Sequence, residues 1–487
     1  MIQEIDWWAI AAPLLLVGGG LLALMADAFA PRLGRSLGTG LGLLALVAAM
    51  GVTWRLNDET RVAFCLGSGD ADAGSSAGCS WVVDDVTVIW WAVILGATAM
   101  VVLLLHSLVG DGLLPPGELS FLLMSSAAGA LSLAAAGDLV TLVVAMETVS
   151  LPAFALVALR RGHRVGAEAA LTFFLASVVA TAVTLLGISM VYGATGSVAA
   201  VTVNASVAAG VAVEPVLGVG VVLTLVGLAF KVAAVPFQVW VPDTYVGAPV
   251  PIAAYLSVVS KAAGLAGLVI VLVRFFPTYV DSWSVVVAVA AALTMTVGNL
   301  AALRQQHAVR LLAWSSVAQA GYLLVPLAAG GSPTDIGALQ AYAAMYAVVN
   351  LGAFAVVHGA ARWGATTVAD FSGLGRRSPW LAVALAFALL CLAGLPPGVV
   401  GLVAKVVIFE SAIDGDLLWL AVVMAVNVAI GLVYYLRFLA VLWRQVDPDT
   451  PREVDLPGST DVVVGLTLTA AVVTSMAPSL LFGPVLG

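Results

Sequence analysis

Charge is scarce in this sequence. Asp and Glu number 27 and Lys and Arg 19 in 487 residues, so 9% of the chain is charged and 62% is apolar. A soluble domain carries about 25% charged residues, and a globule of this length could not coat its surface with so few. The mean hydropathy of +1.11 excludes it on the same ground. A net charge of -8 without a basic patch excludes a nucleic-acid binder. Histidine and cysteine are down to 4 and 3 residues. His106, His163, His307 and His358 stand near span ends rather than in a haem or metal cluster, and no cysteine spacing fits an iron–sulfur cluster. There is no Walker A loop, and Gly18-Gly19-Gly20 lies inside an apolar run, where it serves helix packing. The chain is therefore expected to carry no redox cofactor, metal or nucleotide, and any driving energy must come from a neighbour. A cleavable signal is missing too: Glu4 and Asp6 stand where a positive n-region belongs, so the first helix is expected to stay.

Long apolar runs are what the sequence has. They far exceed the roughly ten-residue alternating strands of a membrane barrel, so the fold class is an all-α polytopic membrane protein. About 14 spans are expected: 7–29, 37–54, 86–109, 119–136, 138–159, 166–192, 216–240, 250–276, 282–303, 306–327, 336–360, 379–411, 417–443 and 461–483. Twelve arginines, from Arg32 to Arg452, collect on one side, and Arg55, Arg61 and Arg274 on the other. The excess marks the cytoplasmic side and puts both termini outside. The one sizeable outer loop, 55–83, is rich in Gly, Ser and Asp and holds Cys65 and Cys79, a candidate disulfide in an oxidising compartment. Cys391 falls inside a span and reads as a small packing residue.

The arginines lie at or near span ends, whereas Lys231, Lys261 and Lys405, the only lysines, all fall inside apolar helices. Lys231 stands about 15 and about 9 residues from its span ends, roughly 22 and 14 Å. A stem of about 6 Å cannot snorkel that far, and insertion costs about 2.5–3.5 kcal/mol. Three structural lysines would be a poor use of that cost. Glu147, in TLVVAMETVSLP, is the mid-span acid. Glu410 follows Lys405 but does not share its helix face, and reads as structural. Burial favours a neutral amine and an approaching carboxylate favours the ammonium, so a buried lysine with a movable neighbour handles protons.

Two of the lysine helices are also interrupted. Pro236 follows Lys231, and Gly394-Leu395-Pro396-Pro397-Gly398 precedes Lys405. Such breaks at membrane depth are tolerated where protein packs the gap or a cavity hydrates it. Interruptions in corresponding halves are the mark of inverted repeats. The expected organisation is a three-helix segment with its outer loop over 1–110, five-helix repeats over 119–276 and 282–443, and a last helix over 461–483. Each repeat holds one broken helix, and the odd helix number per repeat inverts them in the membrane.

Four segments carry a family likeness: FKVAAVPFQVWVPDTYVGAPVPIAAYLSVVSKAAG (230–264), GNLAALRQQHAVRLLAWSSVAQAGYLLVPL (298–327), LAGLPPGVVGLVAK (392–405) and NVAIGLVYYLRF (427–438). With the span layout, the chain resembles the antiporter-like subunits of bacterial NADH–quinone oxidoreductase, respiratory complex I, over nearly its whole length, and PDTYVGAP resembles the N-type form. The first three helices and the 55–83 loop carry least of the likeness. The resemblance implies that Glu147 pairs with Lys231, that Lys261 is a central lysine and that Lys405 is nearest the outer exit. It departs at Thr172, where the family often has a lysine, and at Gln238, where it often has a histidine; both residues can hold water but no charge. The implied role is proton translocation in the membrane arm of a bacterial inner-membrane complex. NADH, FMN, iron–sulfur clusters and quinone would be handled by other subunits. The implied partners are lipid, an antiporter-like M-type subunit and small K-, J- and A-type subunits. The alternative is a subunit of a multi-subunit proton/cation antiporter.

Overall fold

A backbone in hydrocarbon has to satisfy its N–H and C=O groups within its own segment, so the apolar runs become helices. The computed structural model describes residues 5–57, 59–65, 78–210, 212–445 and 456–486. Among them, 13 helices are long and apolar enough to cross a membrane, and the chain is a multi-pass membrane protein. The helices are α1 (Trp7–Phe29), α2 (Pro31–Arg55), α3 (Asp85–Gly110), α4 (Pro116–Ala134), α5 (Leu139–Ala158), α6 (Arg164–Thr195) and α7 (Glu214–Val232). They continue with α8 (Val250–Phe275), α9 (Val280–Leu303), α10 (Ala308–Leu323) and α11 (Pro333–Ala361). The run expected at 379–411 is two shorter helices, α12 (Pro379–Ala393) and α13 (Val399–Asp414); α14 (Leu418–Leu442) and α15 (Gly458–Met476) follow. Arg452 and the 66–77 part of the expected outer loop lie outside the described residues.

Two compact units make up the chain. The first comprises Met1–Val102, Gly112–Val232 and Val259–Trp283. Small residues bring its helices together. A Cβ on Gly187 of α6 would stand 2.4 Å from the backbone nitrogen of Thr224 on α7, a backbone approach that only a small residue permits. Beside it, Thr184 accepts the Gly227 N–H at 2.7 Å. The described ends of loop 55–83 pair as strands. β1 (Arg61–Cys65) and β2 (Cys79–Val83) form an antiparallel hairpin with Arg61 opposite Val83 and Cys65 opposite Cys79. The two cysteines are bonded. The hairpin docks on the bundle: the Trp81 indole donates to Ala9 O at 2.9 Å, and the Val82 amide donates to Ala135 O at 2.9 Å.

The second unit comprises Leu103–Asp111, Ala233–Val258 and Ser284–Gly487. α9 and α10 cross closely, for a Cβ on Gly321 would meet the Met295 nitrogen at 2.5 Å. The end of α3 is tied to α11 by two rungs. Ser107 shares a hydrogen bond of 3.1 Å with the His358 ring, and Arg362 pairs with Asp111 at 2.5 Å.

Both helix breaks stand where the proline and glycine signals put them. After α7, Ala233 takes φ +65°, and the chain re-enters helix through a 3-10 turn, Phe237–Trp240. After α12, Gly394 takes φ +79°, and α13 starts beyond Pro396 and Pro397. α8 departs from a regular α-helix: Leu256–Ser260 and Ile270–Phe275 are π-helical.

Candidate functional site

In the first unit, α5, α6 and α7 bring Glu147, Ser150, Thr181 and Lys231 together. Lys231 is 1% exposed, and its ammonium nitrogen lies 2.5 Å from Ser150 Oγ. Glu147 does not make that contact. Its Oε1 accepts from the Thr181 hydroxyl at 2.5 Å. No ion pair joins Glu147 and Lys231 among the described residues.

Lys261, on α8, is 2% exposed and donates to Val232 O at 3.0 Å. Val232 is the last residue of α7, so this oxygen has no helical donor of its own. Gly264 makes the approach possible, since a Cβ there would lie 2.9 Å from Lys231 Cβ and from Val232 Cγ2.

In the second unit, Lys405 is 6% exposed. It donates to Leu392 O at 3.0 Å and Ala393 O at 2.6 Å, the last carbonyls of α12. A helix C-terminus carries partial negative charge, which suits a cation there. The Tyr322 ring lies 5.5 Å from the ammonium, within cation–π range. Hydroxyls and amides complete the surroundings. Gln319 donates to Leu392 O at 3.2 Å and Tyr435 OH at 3.2 Å and accepts from Tyr342 at 2.7 Å. Ser315 and Tyr435 share a bond of 2.5 Å.

The other expected residues fall as follows. Gln238 is 8% exposed, and its Oε1 meets no hydrogen-bond partner among the described residues. Thr172 is exposed on α6, beside the Phe173 that packs on Phe154, and a hydroxyl that bonds Glu147 is that of Thr181. Cys391 is buried, and a Cβ on Gly398 would meet its Sγ at 2.7 Å. Ser150, Thr181, Gln319, Tyr342 and Tyr435 were not singled out by the sequence reading. Only a polar residue at i+3 from Glu147 hinted at Ser150.

Residues 136–431 match the family model described as NADH:quinone oxidoreductase/Mrp antiporter, transmembrane. The chain belongs to this family. NADH-quinone oxidoreductase subunit N 2 of Streptomyces griseus is 50% identical over 98% of this chain and 93% of its own length. Among solved structures, a chain of Thermus thermophilus respiratory complex I is 28% identical with a TM-score of 0.78, covering 96% of this chain and 98% of that one. A chain of the Mrp complex from Dietzia sp. shares the fold at a TM-score of 0.80 and 22% identity, over 98% of this chain and 95% of that one.

Proposed function

We propose that this chain is an N-type membrane-arm subunit of a bacterial NADH–quinone oxidoreductase and moves protons across the inner membrane. The observation that carries the reading is the fate of the lysines. Lys231, Lys261 and Lys405 are 1, 2 and 6% exposed, and the partners named above for each are neutral oxygens. A neutral oxygen accepts from an amine or an ammonium alike, so the proton is free to come and go. A fixed carboxylate contact would hold it in place.

In this reading, a neighbouring subunit brings Glu147 toward or away from Lys231. Approach holds the proton on Lys231 and withdrawal releases it toward Lys261. Lys405 is the group nearest the outer exit. Electron transfer from NADH through flavin and iron–sulfur clusters to quinone belongs to other subunits. The M-type and small K-, J- and A-type subunits are the expected membrane neighbours. The stretches 119–276 and 282–443 form inverted repeats, and both termini face outward. What supports the repeat reading is that each stretch holds one interrupted helix with a buried lysine at the break, Lys231 on α7 before the first and Lys405 on α13 after the second.

The test is Lys231→Ala in the whole complex, reconstituted into vesicles. Proton pumping and coupled quinone reduction should fall at least about tenfold, the effect of about 1.4 kcal/mol on a barrier, while the complex assembles. Lys231→Arg should rescue poorly, because arginine does not release its proton. Normal pumping by the alanine variant at normal assembly would refute the role.

A further inference from the structure

Glu147 and Lys231 form no ion pair with each other; each is held by a hydroxyl instead, Glu147 by Thr181 and Lys231 by Ser150. We infer that Thr181 and Ser150 are positioning residues that hold this pair apart, Thr181 by gripping the carboxylate and Ser150 by receiving the ammonium. This deepens the function proposed above and rests on it for the consequence in pumping, but not for the geometry.

The hydrogen-bond directions carry the argument. Ser150 gives its own proton to Met146 O at 2.7 Å, so a lone pair is what it offers to Lys231 Nζ at 2.5 Å. Ser150 is therefore an acceptor in the place of a carboxylate. Thr181, on the neighbouring helix, donates to Glu147 Oε1 at 2.5 Å and occupies one of the oxygens that the lysine would otherwise seek. Glu147 and Ser150 stand at i and i+3 on α5, so the two acceptors are neighbours on one face, about 5–6 Å apart at Cβ. A change of side-chain torsion, rather than of backbone, takes Lys231 from one to the other. The bond to Ser150 carries charge on the donor alone, whereas a bond to the carboxylate would carry opposite charges on both partners, so the lysine would move to Glu147 unless something opposed it. The two hydroxyl bonds are what oppose it. The structure is thus one member of a two-state pair, with Lys231 on Ser150 and Glu147 on Thr181. In the other member, lysine and glutamate are joined.

The test measures the pairing itself. A hydrophobic carbodiimide modifies protonated, unpaired carboxyls in membranes, and labelling of Glu147 can be counted by peptide mass mapping of the whole complex. Thr181→Val keeps the shape and deletes the donor, so Glu147 should be drawn to Lys231 and its labelling should fall about fivefold, the shift that one ordinary hydrogen bond makes in a two-state population. Ser150→Ala, which removes the lysine's other acceptor, should act in the same direction, and it serves if Thr181→Val does not assemble. Thr181→Ser should label like the unaltered complex. Adding Lys231→Ala to Thr181→Val should restore labelling, because the competing cation is gone. Labelling that is unchanged or raised in Thr181→Val or Ser150→Ala, at normal assembly, would overturn the inference. If the labelling pattern holds but Lys231→Ala pumps normally, the clamp stands and the translocation role falls.

Discussion

Lys405 and Gln319 donate to one and the same backbone oxygen. Leu392 O accepts from the Lys405 ammonium at 3.0 Å and from the Gln319 amide at 3.2 Å. The second amide hydrogen of Gln319 goes to Tyr435 at 3.2 Å, and its oxygen accepts from Tyr342 at 2.7 Å. The side chain is thus fully committed, and it fixes the lysine's acceptor without charge.

The first prediction follows from that neutrality. Gln319→Glu keeps the shape and places a carboxylate within reach of Lys405, which should hold the ammonium charged. Proton pumping should fall at least about tenfold, and stability should fall as well, because a carboxylate cannot donate to Leu392 O. Gln319→Leu should lower stability by about 1–3 kcal/mol, the cost of leaving buried polar partners unmatched, without placing a charge beside Lys405. Pumping in vesicles, read beside the unfolding midpoint of the assembled complex, separates the two, and a Glu variant that pumps normally would refute the account.

Gly394 supports a second prediction. Its φ is +79°, and a Cβ there would stand 2.9 Å from Lys405 Cδ. Gly364 has φ +84° with nothing within 4 Å of such a Cβ. Alanine at either position pays the left-handed backbone cost of about 1–2 kcal/mol. Only at Gly394 does it also push on the lysine. Both variants should therefore lower the unfolding midpoint comparably or more at Gly394, while Gly394→Ala alone should lose pumping. Equal pumping in the two would remove Gly394 from the lysine site.

The lysines and the breaks were legible in the sequence because membrane burial makes charge rare and because Pro and Gly interrupt helices wherever they fall. The partners were not. Serine and threonine in membrane helices commonly return a hydrogen bond to their own backbone, as Thr148 does to Val144 O and Ser189 to Leu185 O, so a hydroxyl at a functional site leaves no distinct signature. The family pattern pointed to Thr172, which is two and a half helical turns from Thr181 and on the exposed face. The breaks after Lys231 and before Lys405 were legible, but the acceptors of each lysine were not. By its contact with a helix end, Lys405 resembles Lys261. The π-helical stretches of α8 were invisible because an apolar run has the same composition in either form. The hairpin was hidden by its short strands beside a Gly/Ser-rich run.

A third prediction concerns that hairpin. Its disulfide spans a sequence separation of 14 residues, but the strand ladder and the Trp81 anchor also hold it. Cys65→Ser with Cys79→Ser should make the hairpin more open to protease without altering pumping, since no charged candidate lies in it. A loop of this size contributes about 3 kcal/mol in the chain-entropy account, enough for a clear change in cleavage rate. Free thiols at both positions in non-reduced protein, found by mass mapping, would reject the bond.

The last prediction is a pH dependence outside the spans. His307 caps α10: its Nδ1 accepts from the Arg310 amide at 3.5 Å, a role open to neutral imidazole only. Burial and the nearby Arg310 cation hold its pKa below the usual histidine value of 6.5, with Asp370 opposing them in part. The sign follows. A histidine whose folded pKa lies below the unfolded one contributes stability above the unfolded value, and that contribution is lost as pH falls through 6.5 toward the folded value. Protonation then removes the cap acceptor and puts a cation beside both Arg310 and the positive helix N-terminus. Protection from amide exchange at Arg310 and the residues after it, with the intrinsic slowing on the acid side divided out, should therefore show an excess loss between about pH 7 and pH 5, by an amount fitting a cap of about 1 kcal/mol. His307→Asn, which caps without titrating, should abolish the excess. If the asparagine variant shows the same acid-side loosening as the unaltered chain, the histidine is not the group that titrates.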